Sequence, residues 1–454
     1  MTGDDFDADD DFVREPRRAD GMIDRAEHVT PAFVIHPELK NDADRREPTA
    51  ALAEAEALAT ALPGLRVAGS QIVRLPRLHP GTLFGKGKIA ELKTRLKSDG
   101  IELVLIDGHV GPVQQRNLEK EWGVKILDRT GLILEIFSDR ARTREGVLQV
   151  EMAALAYQRT RLVRAWTHLE RQRGGLGFVG GPGETQIEAD RRAIDDQLAR
   201  LKRQLEKVVK TRGLHRAARA KVPYPIVALV GYTNAGKSTL FNRLTGAEVF
   251  AKDMLFATLD PTMRRLALPQ GDEVILSDTV GFISSLPTEL VAAFRATLEE
   301  VLDADLVVHV RDISHAQTAE QARDVETILA SLGVGDTAAR IEVWNKIDLV
   351  PEAEREALGT QAARSDDVLA VSAVTGDGLD AFVAAIEMRL TPARTTETRT
   401  VPFTDGRARA WLFEAGVVDE ETATEDGHRM TLTWTDAQRV AFDALAGVGD
   451  AAGQ

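Results

Sequence analysis

A glycine- and lysine-containing motif near the middle of the chain constrains its fold more than any other feature of the sequence. It has the form G-x-x-x-x-G-K-S and comprises Gly231, Tyr232, Thr233, Asn234, Ala235, Gly236, Lys237 and Ser238. The apolar run Ile226 to Val230 precedes it, and a helical pattern through Leu244 follows it. A strand, such a loop and a helix in succession predict a phosphate-binding loop, whose backbone N–H groups surround the phosphates at the helix N-terminus. In this arrangement Lys237 contacts the β- and γ-phosphate oxygens and Ser238 binds Mg²⁺.

Two further segments are placed to complete a magnesium and γ-phosphate site. The first is Phe256, Ala257, Thr258, Leu259 and Asp260, in which we expect Thr258 to be the second protein ligand of Mg²⁺, with Thr262 as a nearby alternative. The second is Asp278, Thr279, Val280 and Gly281, which follows the apolar run Val274 to Leu276. At that strand end Asp278 can hold the magnesium shell through water, and the Gly281 N–H can reach the γ-phosphate. We therefore expect Lys237, Thr258 and Gly281 to act in catalysis.

Two later motifs predict which base is bound. The first is Asn345, Lys346, Ile347 and Asp348 after a strand-like run, and the second is Ser372, Ala373 and Val374 after another. The Asp348 carboxylate can accept hydrogen bonds from N1–H and the 2-amino group of guanine, a pair of donors that adenine lacks, while Asn345 and Lys346 brace the loop. Ser372 to Val374 supply a backbone contact to the base. The motifs together predict that GTP is bound with Mg²⁺ and hydrolysed to GDP.

One residue departs from the pattern of many small GTPases. Phe282 follows the D-x-x-G motif, where those proteins carry a glutamine that orients the attacking water. A phenyl ring cannot orient water. We therefore expect slow hydrolysis by the free protein, since unassisted small GTPases turn over at roughly 10⁻⁴ to 10⁻³ s⁻¹, and stimulation by a partner.

The composition excludes several other kinds of chemistry. The chain contains no cysteine, which excludes disulfides, thiolate catalysis and cysteine-ligated metals, and its nine histidines show no metal-ligand spacing. No apolar run approaches the ~18 residues of a membrane span, and the N-terminus is acidic, unlike a secretory signal. We therefore expect a cytoplasmic protein that acts as a monomer.

Charge is divided unevenly along the chain. Residues 61–220 contain 30 Lys and Arg against 18 Asp and Glu, a net charge of +12, whereas the rest contains 27 against 53, a net charge of −26. A basic segment in an acidic protein is typical of an RNA- or phosphate-binding surface, although a solvated helical face explains it as well.

The patterns of strands and helices predict a multidomain α/β fold. We expect a disordered acidic extension at 1–28, an N-terminal α/β domain at 29–144, a helical hairpin at 145–220, a P-loop GTPase domain at 223–392 and a small α+β domain at 397–446. The GTPase domain should contain a mostly parallel sheet with flanking helices. In the last domain we expect a helix at Arg407 to Phe413, one strand at Met430 to Trp434 and a final helix from Asp436.

Apolar residues spaced by four and three predict that residues 145–220 form an antiparallel hairpin. The two seams are Leu148, Met152, Leu155, Leu162, Trp166 and Leu169, and Ile187, Ile194, Leu198, Leu201, Leu205 and Val208. Between them lie Gly174, Gly175, Gly177, Gly180, Gly181 and Gly183, and the second helix should start at Pro182 to Thr185. A glycine-rich tip flanked by basic helices can bring bare backbone against RNA phosphates, or it can be a flexible hinge.

A second glycine motif is not expected to bind a dinucleotide. Gly85 to Ala90 matches the pattern G-x-G-x-x-A, but no apolar strand precedes it, because His79, Pro80 and Gly81 stand there instead. Its lysines can still add to a phosphate-contacting surface.

With these motifs the chain resembles the HflX-type GTPases over roughly residues 30 to 440. The most specific match is Gly180 to Glu188, GGPGETQIE, followed by Asp190, Arg191 and Arg192; Phe256 to Thr262 and Asp278 to Phe282 match as well. The resemblance implies a ribosome-associated GTPase that binds the large subunit and separates stalled or idle ribosomes under stress. It also implies that the N-terminal domain and the hairpin contact ribosomal RNA, and that a hydrophobic residue, here Phe282, replaces the catalytic glutamine.

Two other interpretations stay open. The protein could be a GTP-dependent switch for a non-ribosomal RNA or protein partner, which a pull-down scored for ribosomal RNA in the GTP and GDP states would reveal. It could also be a P-loop ATPase, in which case changing Asp348 would not alter the choice of base.

Overall fold

The computed structural model of the protein describes residues 29–40, 46–172, 182–219, 224–247, 254–284, 301–333, 339–390 and 394–450. They form two compact units. One contains the described residues up to Leu266 together with Glu273–Leu379, and the other contains Ala267–Asp272 and the chain from Asp380 onward. The acidic extension expected at 1–28 and all but the last of the six glycines expected at the hairpin tip lie outside the described residues.

The first unit begins with a four-stranded sheet of strand order β2-β1-β3-β4, in which all neighbouring strands are parallel. Its elements are β1 (Thr30–Leu39), α1 (Pro48–Ala61), β2 (Leu65–Leu75), α2 (Lys86–Ser98), β3 (Leu103–Ile106), α3 (Pro112–Trp122), β4 (Lys125–Asp128) and α4 (Arg129–Arg140). Parallel neighbours need a crossover between them, which is why strands and helices alternate along the sequence. The segment from Gly85 does not follow a strand, because β2 ends at Leu75.

Two long helices form the predicted hairpin, α5 (Arg144–Gln172) and α6 (Pro182–Arg219). Arg159 pairs with Asp195 at 3.0 Å and Glu151 with Gln197 at 3.3 Å, so the two helices run antiparallel. In addition to the predicted seam, α5 buries Val150 and Ala153 in a cluster that also contains residues of the N-terminal sheet. No helix in the described part of the chain is both long enough and apolar enough to cross a membrane.

The phosphate-binding motif belongs to a six-stranded sheet of order β10-β9-β8-β5-β7-β6. Its elements are β5 (Ile226–Gly231), α7 (Lys237–Thr245), β6 (Thr262–Ala267), β7 (Glu273–Asp278), β8 (Leu306–Asp312), α8 (Thr318–Leu332), β9 (Ala339–Asn345), α9 (Glu352–Ala362) and β10 (Val368–Ala370). The five strands from β10 to β7 are parallel. Because their carboxyl ends share one edge, the motifs that follow β5, β7, β9 and β10 are brought together there.

A single hydrophobic cluster runs through both sheets of the first unit. It contains Val34 of β1 and Phe137 of α4 together with Phe256 and Phe282 from the segments around the phosphate-binding loop. The rings of Phe137 and Phe256 meet edge to face, with centroids 4.6 Å apart. A second cluster, which includes Phe33, Phe84 and Leu92, contains residues of the N-terminal sheet, its helices and the loops between them. The N-terminal sheet therefore packs one of its two cores together with the nucleotide-binding sheet.

The second unit contains a three-stranded antiparallel sheet of order β11-β13-β12. Its elements are α10 (Leu379–Leu390, of which Leu379 belongs to the first unit), β11 (Arg394–Val401), α11 (Gly406–Glu414), β12 (Val418–Thr424), β13 (Gly427–Thr435) and α12 (Asp436–Asp450). Leu412, Met430, Leu432 and Trp434 form its core. Only β13 was expected as a strand, and the sheet starts at Arg394 rather than 397.

Candidate functional site

The predicted phosphate-binding loop connects β5 to α7 at the carboxyl edge of the six-stranded sheet. Asn234 and Gly236 have left-handed backbone, with φ of 61° and 92°. A Cβ atom at Gly236 would lie 2.2 Å from Asn345 Nδ2. The loop therefore approaches the motif that begins at Asn345 more closely than a side chain at position 236 permits. The helix begins at Lys237, and the N–H groups of its first turn have no acceptor within the helix. They are therefore available to a phosphate group.

The Lys237 side chain is enclosed by the loop that it follows. It is 6% exposed, and its ammonium group donates to the Gly231 carbonyl at 3.1 Å and the Tyr232 carbonyl at 2.9 Å. Burial lowers the pKa of Lys237 to about 8, while the negative charge of Asp278 acts in the opposite direction. The negative charge of a phosphate group in the loop would favour the protonated form further.

Three oxygen-bearing side chains converge at the place predicted for magnesium. Ser238 Oγ lies 2.8 Å from Thr258 Oγ1 and 2.7 Å from Asp278 Oδ2, and the latter two atoms are 3.0 Å apart. Burial raises the pKa of Asp278, and its other oxygen, Oδ1, is buried and has no hydrogen-bond partner in the described part of the chain. Oxygen donors with one carboxylate suit Mg²⁺. The residues therefore fit a site in which Ser238 and Thr258 are ligands and Asp278 acts through water; Thr262 is the first residue of β6.

The segment after β7 lies directly against the phosphate-binding loop. A Cβ atom at Gly281 would lie 2.8 Å from Thr233 Cα and 3.1 Å from Lys237 Nζ, which explains the glycine. The Phe282 N–H donates to the Gly231 carbonyl at 3.1 Å, and the Phe282 carbonyl accepts the Thr233 N–H at 2.7 Å. The Phe282 ring is 1% exposed and belongs to the cluster shared by the two sheets. In this conformation it is a core residue.

One side-chain amide joins the phosphate-binding loop to both base motifs. Asn345 Nδ2 donates to the Ala235 carbonyl at 2.9 Å, and Asn345 Oδ1 accepts the Ala373 N–H at 3.0 Å. Lys346 has φ of 65°, and its ammonium group lies 2.8 Å from Asp312 Oδ2, an ion pair that sequence motifs did not indicate.

Asp348 presents an unsatisfied acceptor. It lies in the short 3₁₀ turn Ile347–Leu349, and its Oδ1 is buried with no hydrogen-bond partner among the residues that the structure describes. Buried polar atoms are nearly always paired, so this atom fits a ligand that donates hydrogen bonds, as guanine does. Ser372 is fully buried and its hydroxyl accepts the Thr375 N–H at 3.0 Å, whereas the Val374 side chain is 69% exposed.

Several residues assigned to nucleotide contact turn their side chains elsewhere. Thr279 donates its hydroxyl to the Leu229 carbonyl at 2.6 Å, and Val280 is buried. In the segment Phe256 to Asp260, here called the threonine loop, Phe256 and Leu259 are buried and Asp260 accepts hydrogen bonds from Arg142 and Thr143. Their side chains support the site, which leaves only the backbone of these residues for any contact with a nucleotide.

A buried charge cluster from the N-terminal sheet reaches the nucleotide site, and no sequence motif indicated it. The Arg129 guanidinium is 5% exposed and pairs with Glu54 and with Asp107, the latter at 2.6 Å. It also donates to the Ser284 carbonyl at 3.1 Å. Tyr232 of the phosphate-binding loop donates to Glu54 and accepts the Ser284 N–H at 2.8 Å.

The cluster is held in its ionised form by its internal pairing. Burial opposes ionisation of Asp107, but the hydrogen bond from His36 and the charge of Arg129 together lower its pKa to about 2. Burial likewise opposes ionisation of Glu54, and Arg129 and Arg46 outweigh it, so its pKa is lowered. The cluster joins residues far apart in the chain, such as Glu54 and Tyr232, which is why spacing along the sequence could not reveal it.

Four family models match nearly the whole of the folded chain. They are described as GTP-binding GTPase N-terminal at residues 49–138, GTP-binding GTPase Middle Region at 140–219, 50S ribosome-binding GTPase at 226–346 and HflX C-terminal domain at 357–453.

Known proteins are similar over most of their length. The GTPase HflX of Magnetococcus marinus is 50% identical over 360 residues, which cover 78% of this chain and 82% of that protein. The GTPase HflX of Escherichia coli is 41% identical over 408 residues, 89% of this chain and 93% of that protein. Among solved structures, a GTP-binding protein of Sulfolobus solfataricus in complex with GDP covers 79% of this chain and 98% of its own, with 23% identity and a TM-score of 0.43.

Proposed function

Because this chain belongs to the HflX family of GTPases and hydrolyses GTP, we propose that it binds the large ribosomal subunit and uses GTP binding and hydrolysis to split or rescue stalled or idle ribosomes under stress. We further propose that it works in the cytoplasm as a monomer. In the nucleotide site, Ser238 and Thr258 hold Mg²⁺, Lys237 and Gly281 contact the γ-phosphate, and Asp348 reads guanine.

The observation that carries the ribosomal proposal is a basic surface on the hairpin. An open depression on α6 is lined by Arg200, Arg203, Lys207 and Lys210, with Gln204 and Glu206 beside them. Such a row of cations along one helix suits the phosphates of folded RNA. A second basic depression, in the N-terminal sheet, includes Arg74, Arg77, His79 and Lys88.

The buried Phe282 supports the requirement for a partner. A side chain packed into the core cannot orient the attacking water, and GTP hydrolysis depends on positioning and charge stabilisation. Another molecule, or a rearrangement that it induces, must therefore complete the site. A partner that grips the basic hairpin is well placed to cause such a rearrangement.

The decisive experiment compares GTP turnover alone, with purified large subunits and with purified small subunits. We expect acceleration by large subunits only. The double variant Arg203→Glu/Lys210→Glu should weaken co-sedimentation with large subunits while leaving GDP affinity unchanged. The matched control is Arg323→Glu/Arg364→Glu, which makes the same change in charge at exposed positions away from the hairpin.

Unchanged turnover with large subunits would contradict the proposal. The alternative function, a GTP-dependent switch for a non-ribosomal RNA or protein, would then gain support if pull-downs in the GTP state retained a partner but no ribosomal RNA.

A further inference from the structure

The threonine loop is anchored to the N-terminal part of the unit on both sides of Thr258. Two residues before it, Phe256 packs its ring edge to face on Phe137 of α4, and its φ is 55°. Two residues after it, the Asp260 carboxylate lies on the start of α5. Thr258, which is proposed to bind magnesium, therefore lies between two residues that contact elements outside the nucleotide-binding sheet.

The contact at Asp260 is a set of three hydrogen bonds to one carboxylate. Its Oδ2 accepts the N–H groups of Arg142 at 2.8 Å and Thr143 at 2.9 Å, and its Oδ1 accepts the Thr143 hydroxyl at 2.6 Å. The Thr143 hydroxyl in turn accepts the Gly146 N–H at 3.0 Å and so caps the first turn of α5. Hydrogen bonds to an ionised group are stronger than neutral ones, and the positive end of the helix dipole adds to them.

A glycine makes room for this carboxylate. A Cβ atom at Gly146 would lie 2.4 Å from Asp260 Oδ1, closer than any van der Waals contact, and 3.1 Å from Thr143 Oγ1. Gly146 is buried in the first turn of α5. A larger residue there would force either the Asp260 carboxylate or the start of α5 to shift.

We propose that Asp260 is a positioning residue for GTP hydrolysis, whose seat on the first turn of α5 places the Thr258 hydroxyl beside Ser238 and Asp278. Ordering of Thr258 by magnesium and the γ-phosphate is thereby linked to the position of α5, the first helix of the hairpin. Linkage of this kind is reciprocal: a force that moves the start of α5 weakens binding of magnesium–GTP, and bound magnesium–GTP fixes the start of α5. The inference holds for any partner of the hairpin and does not depend on the ribosomal proposal.

Two variants test it from opposite sides of the contact. Asp260→Asn presents an amide donor to backbone donors, and Gly146→Ala pushes the carboxylate away while leaving its charge in place. Each should weaken affinity for a non-hydrolysable GTP analogue in the presence of Mg²⁺ by roughly tenfold, with a similar fall in kcat/KM. Affinity for GDP in EDTA should stay at the wild-type value. The matched control is Gly87→Ala, also in the first turn of a helix, where a Cβ meets open space.

A conservative pair separates positioning from general loss of structure. Thr143→Ser keeps the hydroxyl and should behave as the wild type, whereas Thr143→Val loses it and should resemble Asp260→Asn. Amide hydrogen exchange supplies the reciprocal measurement. The amides of Arg142, Thr143 and Gly146 should exchange more slowly with the GTP analogue than with GDP, and Asp260→Asn should abolish the difference. Equal loss of GTP-analogue and GDP affinity in both Asp260→Asn and Gly146→Ala, or exchange at these amides that is insensitive to the nucleotide, would overturn the proposal.

Discussion

Two side chains in this site differ in whether their hydrogen-bonding groups are paired within the protein. Asn345 uses its amide nitrogen and its oxygen on different segments, so it fixes the base loop to the phosphate-binding loop. Asp348 has a buried oxygen that accepts no hydrogen bond from the described residues. Asn345 therefore holds the segments of the pocket together, whereas Asp348 keeps an acceptor available for a ligand that donates a hydrogen bond.

The choice of base should follow from Asp348 alone. Asp348→Asn replaces one acceptor with a donor, which matches the 2-carbonyl of xanthine and not the 2-amino group of guanine. We expect at least a tenfold fall in the ratio of GTP to XTP affinity, since a mismatched buried hydrogen bond costs about 1–3 kcal/mol. Competition binding with the two nucleotides measures this ratio, with the exposed α6 variant Asp196→Asn as control. An unaltered ratio would contradict the assignment of guanine recognition to Asp348.

His309 in the central strand β8 should make stability depend on pH. Burial lowers its pKa to about 4, with Glu342 opposing and Arg311 reinforcing that effect. Between pH ~6.5 and 4 the unfolded chain then binds a proton that the folded chain does not, so the folded state loses stability as the pH falls. From pH 7.5 to 5.0 this loss is about 1–2 kcal/mol, and His309→Gln should remove it. Urea unfolding of both proteins at the two pH values is the measurement; equal pH dependence would contradict the assignment.

Elements that bury one continuous apolar stripe could be predicted from the sequence, and elements whose burial depends on distant partners could not. The period of α5 and α6 indicated their seam and their antiparallel pairing. It did not indicate that Val150 and Ala153 of α5 pack with the N-terminal sheet, because that face is completed by residues far away in the chain. Strand β12 escaped prediction for a related reason: its sequence, VDEETAT, is polar and its register comes from pairing with β13.

The site divides in the same way. The sequence indicated where residues in short motifs, such as Lys237, Ser238 and Asp278, lie in the sheet. The reason is that the spacing within each motif reflects a single turn at the end of a single strand. The contacts that hold those motifs come from other elements. Glu54 on α1 and Arg129 on α4 bind Tyr232 and Ser284, and nothing local to α1 or α4 signals that role.

The hydroxyl of Tyr232 connects the phosphate-binding loop to Glu54 on α1 and to Ser284, and we expect this connection to contribute to the free energy of unfolding. Tyr232→Phe removes one of the hydrogen-bond donors to Glu54 and takes away the acceptor of the Ser284 N–H, so we expect a loss of about 1–3 kcal/mol in the free energy of unfolding. GDP affinity should change little, because the backbone of the loop is untouched. The control is Tyr224→Phe, since the Tyr224 hydroxyl makes no hydrogen bond among the described residues. Equal unfolding energies for the two variants would show that the connection has no energetic weight.

The first unit behaves as one body because its two sheets share a core. A hydrophobic cluster that contains Val34 and Phe137 as well as Phe256 and Phe282 cannot be opened on one side without exposing the other. Sequence patterns divided this region into separate domains at 29–144 and 223–392, and they did not indicate the packing between them. Apolar residues that face a neighbouring domain have the same period as those that face their own sheet.

Two phenylalanines, Phe137 on α4 and Phe84 between β2 and α2, distinguish shared packing from local packing. Phe137→Leu trims the cluster that contains Phe256, whereas Phe84→Leu trims the separate cluster around Phe33. Both should lower the free energy of unfolding, each by less than the ~3–5 kcal/mol of a full truncation to alanine. Only Phe137→Leu should also weaken binding of a GTP analogue with Mg²⁺, because it loosens the residue two positions before Thr258. Calorimetric titration measures that difference, and equal affinities in the two variants would argue against it.

The shared core can be completed only late in translation, because its residues are far apart in the chain. Phe137 is translated roughly 145 residues before Phe282, an interval of roughly 7 to 30 s at elongation rates of about 5–20 residues per second. Throughout that interval the apolar side of α4 and β1 lacks the residues that later cover it. We therefore expect the nascent chain to be most prone to aggregation, and most in need of chaperone binding, midway through its translation.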